Sequence, residues 1–184
     1  MAAGTLFLVV GPSGVGKDTL LDGARARLSG DARFVFARRV ITRAADAGGE
    51  DHEAVSPEEF ARRKAAGDFL LTWPAHGLDY GLPAALSGAL AEGRSVVANG
   101  SRATIAELAR RVPKLVVVEI NASPEVVAAR LRARGREDEA QVAERISRTV
   151  PPIPDGIKLV RVLNDADVAT GVDKLVAALS EPRS

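Results

Sequence analysis

The chain has no cysteine, which rules out a disulfide framework and any thiolate metal site and fits a reducing compartment. Neither sign of charge is in excess. The 25 basic and 24 acidic side chains leave a formal net charge of +1, so bulk electrostatics give no reason to bind nucleic acid or a membrane surface. A bilayer-length apolar run is also missing. Met1 to Val10 ends in an apolar stretch that is too short to span a membrane and lacks the basic start and cleavage site of a secretory signal. No internal repeat or long low-complexity segment interrupts the chain. These absences point to a cytoplasmic protein. What is present is a 184-residue chain, 46% apolar and 27% charged, enough to build one real core. That length favours a single domain over residues 1–184 with a small insertion.

Periodicity organises the chain into alternating strands and helices. Leu6 to Val10 is an unbroken apolar run, as in a strand buried on both faces. Asp18 to Leu28 has helical spacing, and Arg33 to Ile41 reads as a second strand. Thr42 to Asp51 is a polar loop. Ser56-Pro57-Glu58-Glu59 opens a helix with a serine N-cap and proline at the first position; it should run to about Ala66 and stop at Gly67. Phe69 to Trp73 is a short strand, Leu82 to Ala91 a helix, Ser95 to Ala98 a strand and Ala103 to Arg111 a helix. Leu115 to Ile120 is a strand, Ser123-Pro124-Glu125 starts a helix, and Glu139 to Thr149 is another. Leu159 to Leu163 and Ala169 to Leu179 are the last strand and helix. The alternation predicts a three-layer α/β fold: a mainly parallel sheet with helices on both faces.

Gly11-Pro12-Ser13-Gly14-Val15-Gly16-Lys17-Asp18 carries the strongest chemistry. It matches G-x-x-x-x-G-K, with an apolar strand before it and a helix after it. Glycines let the backbone wrap phosphates, amide N–H groups and the helix N-terminus supply partial positive charge, and Lys17 adds a full charge for the β- and γ-phosphates. The position after the lysine usually holds a hydroxyl that ligates Mg²⁺; here it is Asp18. A carboxylate is also a hard oxygen ligand for Mg²⁺, although Asp18 can equally cap the helix while Thr19 takes another role. The spacing therefore predicts a P-loop that binds a nucleoside triphosphate with Mg²⁺.

An ordered series of motifs makes the chain resemble the guanylate kinase group of P-loop kinases over nearly its whole length. The series comprises Thr42-Arg43 with Gly49-Glu50, Val55-Ser56-Pro57-Glu58-Glu59-Phe60, Gly67-Asp68-Phe69-Leu70, His76-Gly77, Tyr80-Gly81, the arginine-rich Arg130 to Gly135, and Asn164-Asp165. The two positions that read guanine in that group carry Arg39 and Leu71, which removes two acceptors that a buried purine would need, and the aspartate that ends the next buried strand in that group is Asn99 here. Those departures are similar to the ribose 1,5-bisphosphate phosphokinase family. So are the P-loop aspartate, Gly49-Glu50-Asp51-His52-Glu53, Trp73-Pro74-Ala75-His76-Gly77-Leu78 and Val97-Ala98-Asn99-Gly100-Ser101-Arg102.

The resemblance implies an ATP-dependent kinase whose acceptor is a phosphorylated sugar, converted to 5-phosphoribosyl 1-diphosphate. It also implies a P-loop NTPase fold with an acceptor-binding insertion at about residues 38–81 and a lid at about 130–148. Arg38, Arg39, Arg43 and Arg102, with Tyr80 and Asn99, are the expected acceptor contacts, because arginine grips phosphate bidentately. Arg134 and Arg145 are the expected lid contacts to the transferring group, and Asn164 is expected near the nucleotide. No general base is assigned; His76 is read as structural. A carboxylate gained at Asp18 and lost at Asn99 suggests an anionic metal contact that has moved. The competing readings are a guanylate kinase proper, a non-catalytic guanylate kinase-like binding module, and a GTPase, which lacks its base-reading motif here. Oligomeric state is left open, a homodimer included.

Overall fold

The computed structural model describes residues 3–12, 14–47, 49–133 and 152–180. The elements are β1 (Leu6–Val10), α1 (Lys17–Arg27), β2 (Phe34–Phe36), β3 (Val40–Ile41), β4 (Glu53–Ala54), α2 (Pro57–Ala65), β5 (Phe69–Ala75), β6 (Leu78–Pro83), α3 (Leu86–Ala91), β7 (Ser95–Asn99), α4 (Ile105–Arg111), β8 (Leu115–Asn121), α5 (Pro124–Ala133), β9 (Lys158–Leu163) and α6 (Val168–Ser180). A single 3₁₀ turn, Arg102–Thr104, leads into α4.

The main sheet is entirely parallel, in the order β2-β7-β1-β8-β9. Its central strand, β1, is buried at every position, which is why that run contains no polar residue. Alternation along β1 separates two cores. Leu6, Leu8 and Val10 face α3, α4 and the β5–β6 hairpin; Phe7 and Val9 face α1, α5 and α6. The expected three-layer fold is what forms. The first of these cores continues without a break from the sheet into Leu71, Trp73, Tyr80 and Leu82, so the insertion is seated on the same apolar surface.

Residues 40–83 build a second, four-stranded sheet in the order β4-β3-β6-β5. Two sequence expectations change here. Arg33 to Ile41 is not one strand: pairing with β7 ends where the Ala37 amide donates to the Val97 carbonyl, and Val40 and Ile41 then pair with Gly81 and Tyr80 of β6. An alternating run does not reveal a change of partner. Leu82 and Pro83 are strand rather than helix, because β6 still pairs Leu82 with Leu71 and Pro83 with Phe69; the helix is confined to Leu86–Ala91. The short strand β4 completes this sheet alongside β3. By contrast, α2 begins as its sequence dictates. Ser56 Oγ accepts from the Glu59 amide at 3.1 Å and Pro57 takes the first position. Its buried Phe60 stacks on Phe69, ring centroids 4.8 Å apart. The expected helix from Glu139 to Thr149 and most of the lid lie outside the described residues.

Candidate active site

The sheet order reverses at β1, with β7 on one side and β8 on the other. The crevice beyond the carboxyl ends of these strands is where an open α/β sheet binds ligands. The P-loop leaves β1 at this point. Gly14 and Gly16 have φ of 86° and 85°, a backbone that other residues rarely adopt, and a Cβ on Gly16 would lie 2.8 Å from Asn164 Nδ2. The loop is tied down from beneath. Asn164 Nδ2 donates to the Val15 carbonyl at 2.7 Å, and Arg130 Nη1 donates to the same oxygen at 3.1 Å. Arg130 Nη2 also reaches the Asn164 carbonyl at 2.8 Å, closing a three-residue clasp. Asn164 is therefore buried under the loop, where its side-chain amide holds the Val15 carbonyl. Arg130, the first arginine of the basic run, acts on the loop from α5.

Lys17 is half-buried at the start of α1. Burial holds its pKa below the ordinary lysine value; Asp18 opposes that shift and Arg39 adds to it. Beside it, Asn99 Nδ2 donates to Asp18 Oδ1 at 3.1 Å, while Asn99 Oδ1 is buried with no partner among the described residues. The two positions linked in the sequence by a gained and a lost carboxylate are thus in direct contact.

Arg39 is buried at 9% exposure and forms a two-pronged ion pair with Glu50: Nε to Oε2 at 2.8 Å and Nη2 to Oε1. Its guanidinium lies 4.9 Å from the Tyr80 ring centroid and 5.8 Å from that of Trp73. Those two rings stack on each other across β5 and β6, 5.6 Å apart. Burial brings the Arg39 pKa down to about 10, against the pull of Tyr80 and Asp18 and with the help of Arg43. Arg43 sits on the loop that His52 fastens. His52 Nε2 lies 3.1 Å from the Arg43 carbonyl and Nδ1 lies 3.0 Å from the Glu50 carbonyl. Arg43 Nη2 is 3.3 Å from His52 Nδ1. Arg102 is held by Glu119 of β8, which is 5% exposed and also accepts from Arg161 and Asn121.

These groups wall two adjoining cavities. One, of about 330 Å³, lies over the P-loop and is lined by Lys17, Asp18, Thr19, Arg39, Arg43 and Asn99, among others. The other, of about 290 Å³, lies between Lys17, Arg39 and Arg102 over a floor of Trp73 and Tyr80. This second cavity has no carboxylate in its lining.

Arg38 does not join either cavity, contrary to expectation. It points outward, where Nε donates to Asp51 Oδ1 at 3.1 Å and Nη2 to the His52 carbonyl at 3.1 Å. Neighbours on an extended chain face opposite ways, so Arg39 can turn inward only if Arg38 turns out. Ser13, Arg134 and Arg145 lie outside the described residues. Sequence reasoning missed three partners: Glu50 as the counter-charge of Arg39, Glu119 as the anchor of Arg102, and Trp73 as the platform. None has a local signal, since each is defined by a contact across the fold.

The sheet and the P-loop define the P-loop kinase fold in its guanylate kinase form. A guanylate kinase from Anaplasma phagocytophilum shares this fold, with a TM-score of 0.65 at 22% identity, over 97% of this chain and 85% of that one. A gluconokinase from Sinorhizobium meliloti is similar at a TM-score of 0.54, 19% identity, and 98% and 94% coverage. No family model matches the chain. Among curated proteins, the ribose 1,5-bisphosphate phosphokinase PhnN of Thiobacillus denitrificans is 46% identical over 182 residues, 98% of this chain and 95% of the relative. That of Agrobacterium fabrum is 43% identical over 176 residues, 96% of both. The chain belongs to the ribose 1,5-bisphosphate phosphokinase family. It is also 55% identical over 179 residues to a bifunctional ribose 1,5-bisphosphokinase-thymidine phosphorylase of Azorhizobium caulinodans, but spans only 26% of that longer protein.

Proposed function

We propose that the chain transfers the γ-phosphoryl group of ATP to ribose 1,5-bisphosphate, giving 5-phosphoribosyl 1-diphosphate and ADP. The observation that carries this reading is the acceptor cavity. Three cations, Lys17, Arg39 and Arg102, line it without a carboxylate, and Arg39 occupies the aromatic floor that a nucleobase would need. Such a site suits a sugar carrying two phosphates and offers no carboxylate to accept from purine N–H groups. The family relationship supports the same acceptor.

The reaction needs no general base. An anionic oxygen of the acceptor 1-phosphate attacks the γ-phosphorus in line, and the β–γ bridging oxygen leaves with the bond electrons on ADP. The chain's contribution is position and charge. Lys17 and the P-loop amides hold the triphosphate; Arg39 and Arg102 hold the acceptor phosphates; Arg43 faces the nucleotide side; Arg134 and Arg145 are the proposed lid contacts. Asp18 and the unpartnered Asn99 Oδ1 supply hard oxygen donors side by side, which fits Mg²⁺. When bound with ATP, Mg²⁺ neutralises charge on the β- and γ-phosphates.

The test is acceptor-dependent ADP formation with Mg²⁺-ATP and either ribose 1,5-bisphosphate or GMP. Turnover of the sugar bisphosphate with phosphoribosyl diphosphate as product is expected. Turnover of GMP alone would make the chain a divergent guanylate kinase, and Arg39 no barrier to a base.

A further inference from the structure

Five residues line both the nucleotide-side and the acceptor-side cavity: Gly11, Pro12, Lys17, Arg39 and His76. A phosphoryl group moving from ATP to the acceptor has to cross the boundary that they form. Lys17 belongs to the P-loop, and Arg39, placed by Glu50 and the aromatic pair, is assigned above to an acceptor phosphate. His76 is exposed and makes no hydrogen bond among the described residues. It sits at the tip of the β5–β6 hairpin, where Ala75 pairs with Leu78, so His76-Gly77 is a two-residue turn.

Both turn residues have positive φ, 53° at His76 and 72° at Gly77, as a type I′ turn requires. Asparagine or glycine is the favourable choice at the first position. His76 is the sole non-glycine residue with positive φ among the described residues. Histidine there costs on the order of 1 kcal/mol against a residue suited to the turn.

We propose that His76 is a catalytic residue: an imidazole N–H donates a hydrogen bond to the phosphoryl group in transit. This rests on the phosphoryl-transfer reading above. No proton leaves the imidazole. The bond stabilises charge on the equatorial oxygens while the β–γ bond breaks and the new P–O bond forms.

His76→Asn keeps the turn and removes the imidazole, and His76→Gly does the same while opening space. Both variants should melt at or above the wild-type temperature yet lose about 100-fold in kcat, with the KM for ATP little changed. Added imidazole should restore part of the His76→Gly rate. A merely structural His76 predicts unchanged kcat in both variants, and kcat within about twofold of wild type overturns the proposal. Wild-type turnover of ribose 1,5-bisphosphate tests the function; the ratio of variant to wild type tests His76 alone. A second readout does not depend on the acceptor. The chain has only two histidines, so two imidazole signals appear by NMR, and His76→Asn assigns them. Mg²⁺-ATP should shift the His76 signal more than Mg²⁺-ADP does. Equal response to the two nucleotides would also overturn the proposal.

Discussion

Arg39 gives the sharpest separation of stability from chemistry. Replacing it by methionine keeps an apolar stem against Trp73 and Tyr80 but strands Glu50, whose side chain is only 13% exposed. Breaking a buried pair by removing one partner costs about 3–5 kcal/mol, because the remaining carboxylate loses its water without gaining a counter-charge. For a chain of this size each kcal/mol moves the melting temperature by roughly 2–4 °C, so Arg39→Met should melt about 6–20 °C below wild type. The double variant Arg39→Met/Glu50→Gln removes both charges and should recover most of that loss, to within about 1–2 kcal/mol of wild type. Turnover of the sugar bisphosphate should stay lost in both variants, since the acceptor cavity has one cation fewer. Urea denaturation and coupled ADP detection on the same preparations read the two effects separately. A single variant as stable as wild type would refute the buried-pair argument. A stable double variant with full turnover would remove Arg39 from acceptor binding.

Other outcomes follow from the same geometry. Asp18→Asn keeps an acceptor for Asn99 Nδ2, so the fold should hold while the Mg²⁺ concentration for half-maximal rate rises roughly tenfold or more; an unchanged Mg²⁺ titration removes Asp18 from the metal site. Lys17 has a pKa held down by burial in the free protein, and phosphates favour its charged form. ATP binding should therefore take up protons in alkaline buffer. Affinity should be complete below the free-state pKa and decline as pH rises through it toward the bound-state value. Calorimetry in buffers of different ionisation enthalpy measures this uptake, and zero uptake contradicts it. The same depressed pKa means that the unfolded chain binds more protons in that window, so the Lys17 contribution to stability rises with pH there. Arg38→Ala breaks an exposed ion pair worth about 0–1 kcal/mol and should leave the acceptor KM within about twofold; a tenfold rise would return Arg38 to the site.

Local order was enough to read much of this protein. The P-loop is contiguous, and its strand, glycines, lysine and helix follow one another in sequence, so the loop and its place between β1 and α1 could be read directly. The Ser56-Pro57 helix start is equally local, because a cap bond spans three residues. The parallel sheet follows from strands and helices that alternate and from an apolar run with no polar face. The acceptor half is different. Arg38 and Arg39 are adjacent and chemically identical, and only the pairing of Val40 and Ile41 with β6 decides which of them turns toward Glu50 and the aromatic floor. Asn164 and Val15, 149 residues apart, meet because β9 and β1, which leads into the P-loop, run parallel and end at the same carboxyl end of the sheet. His76 reaches both cavities through a hairpin whose second strand was not evident in the hydrophobic pattern. Periodicity reports which residues a segment buries. Which partner they are buried against is set by register and strand order, and these exist only once distant parts of the chain have packed.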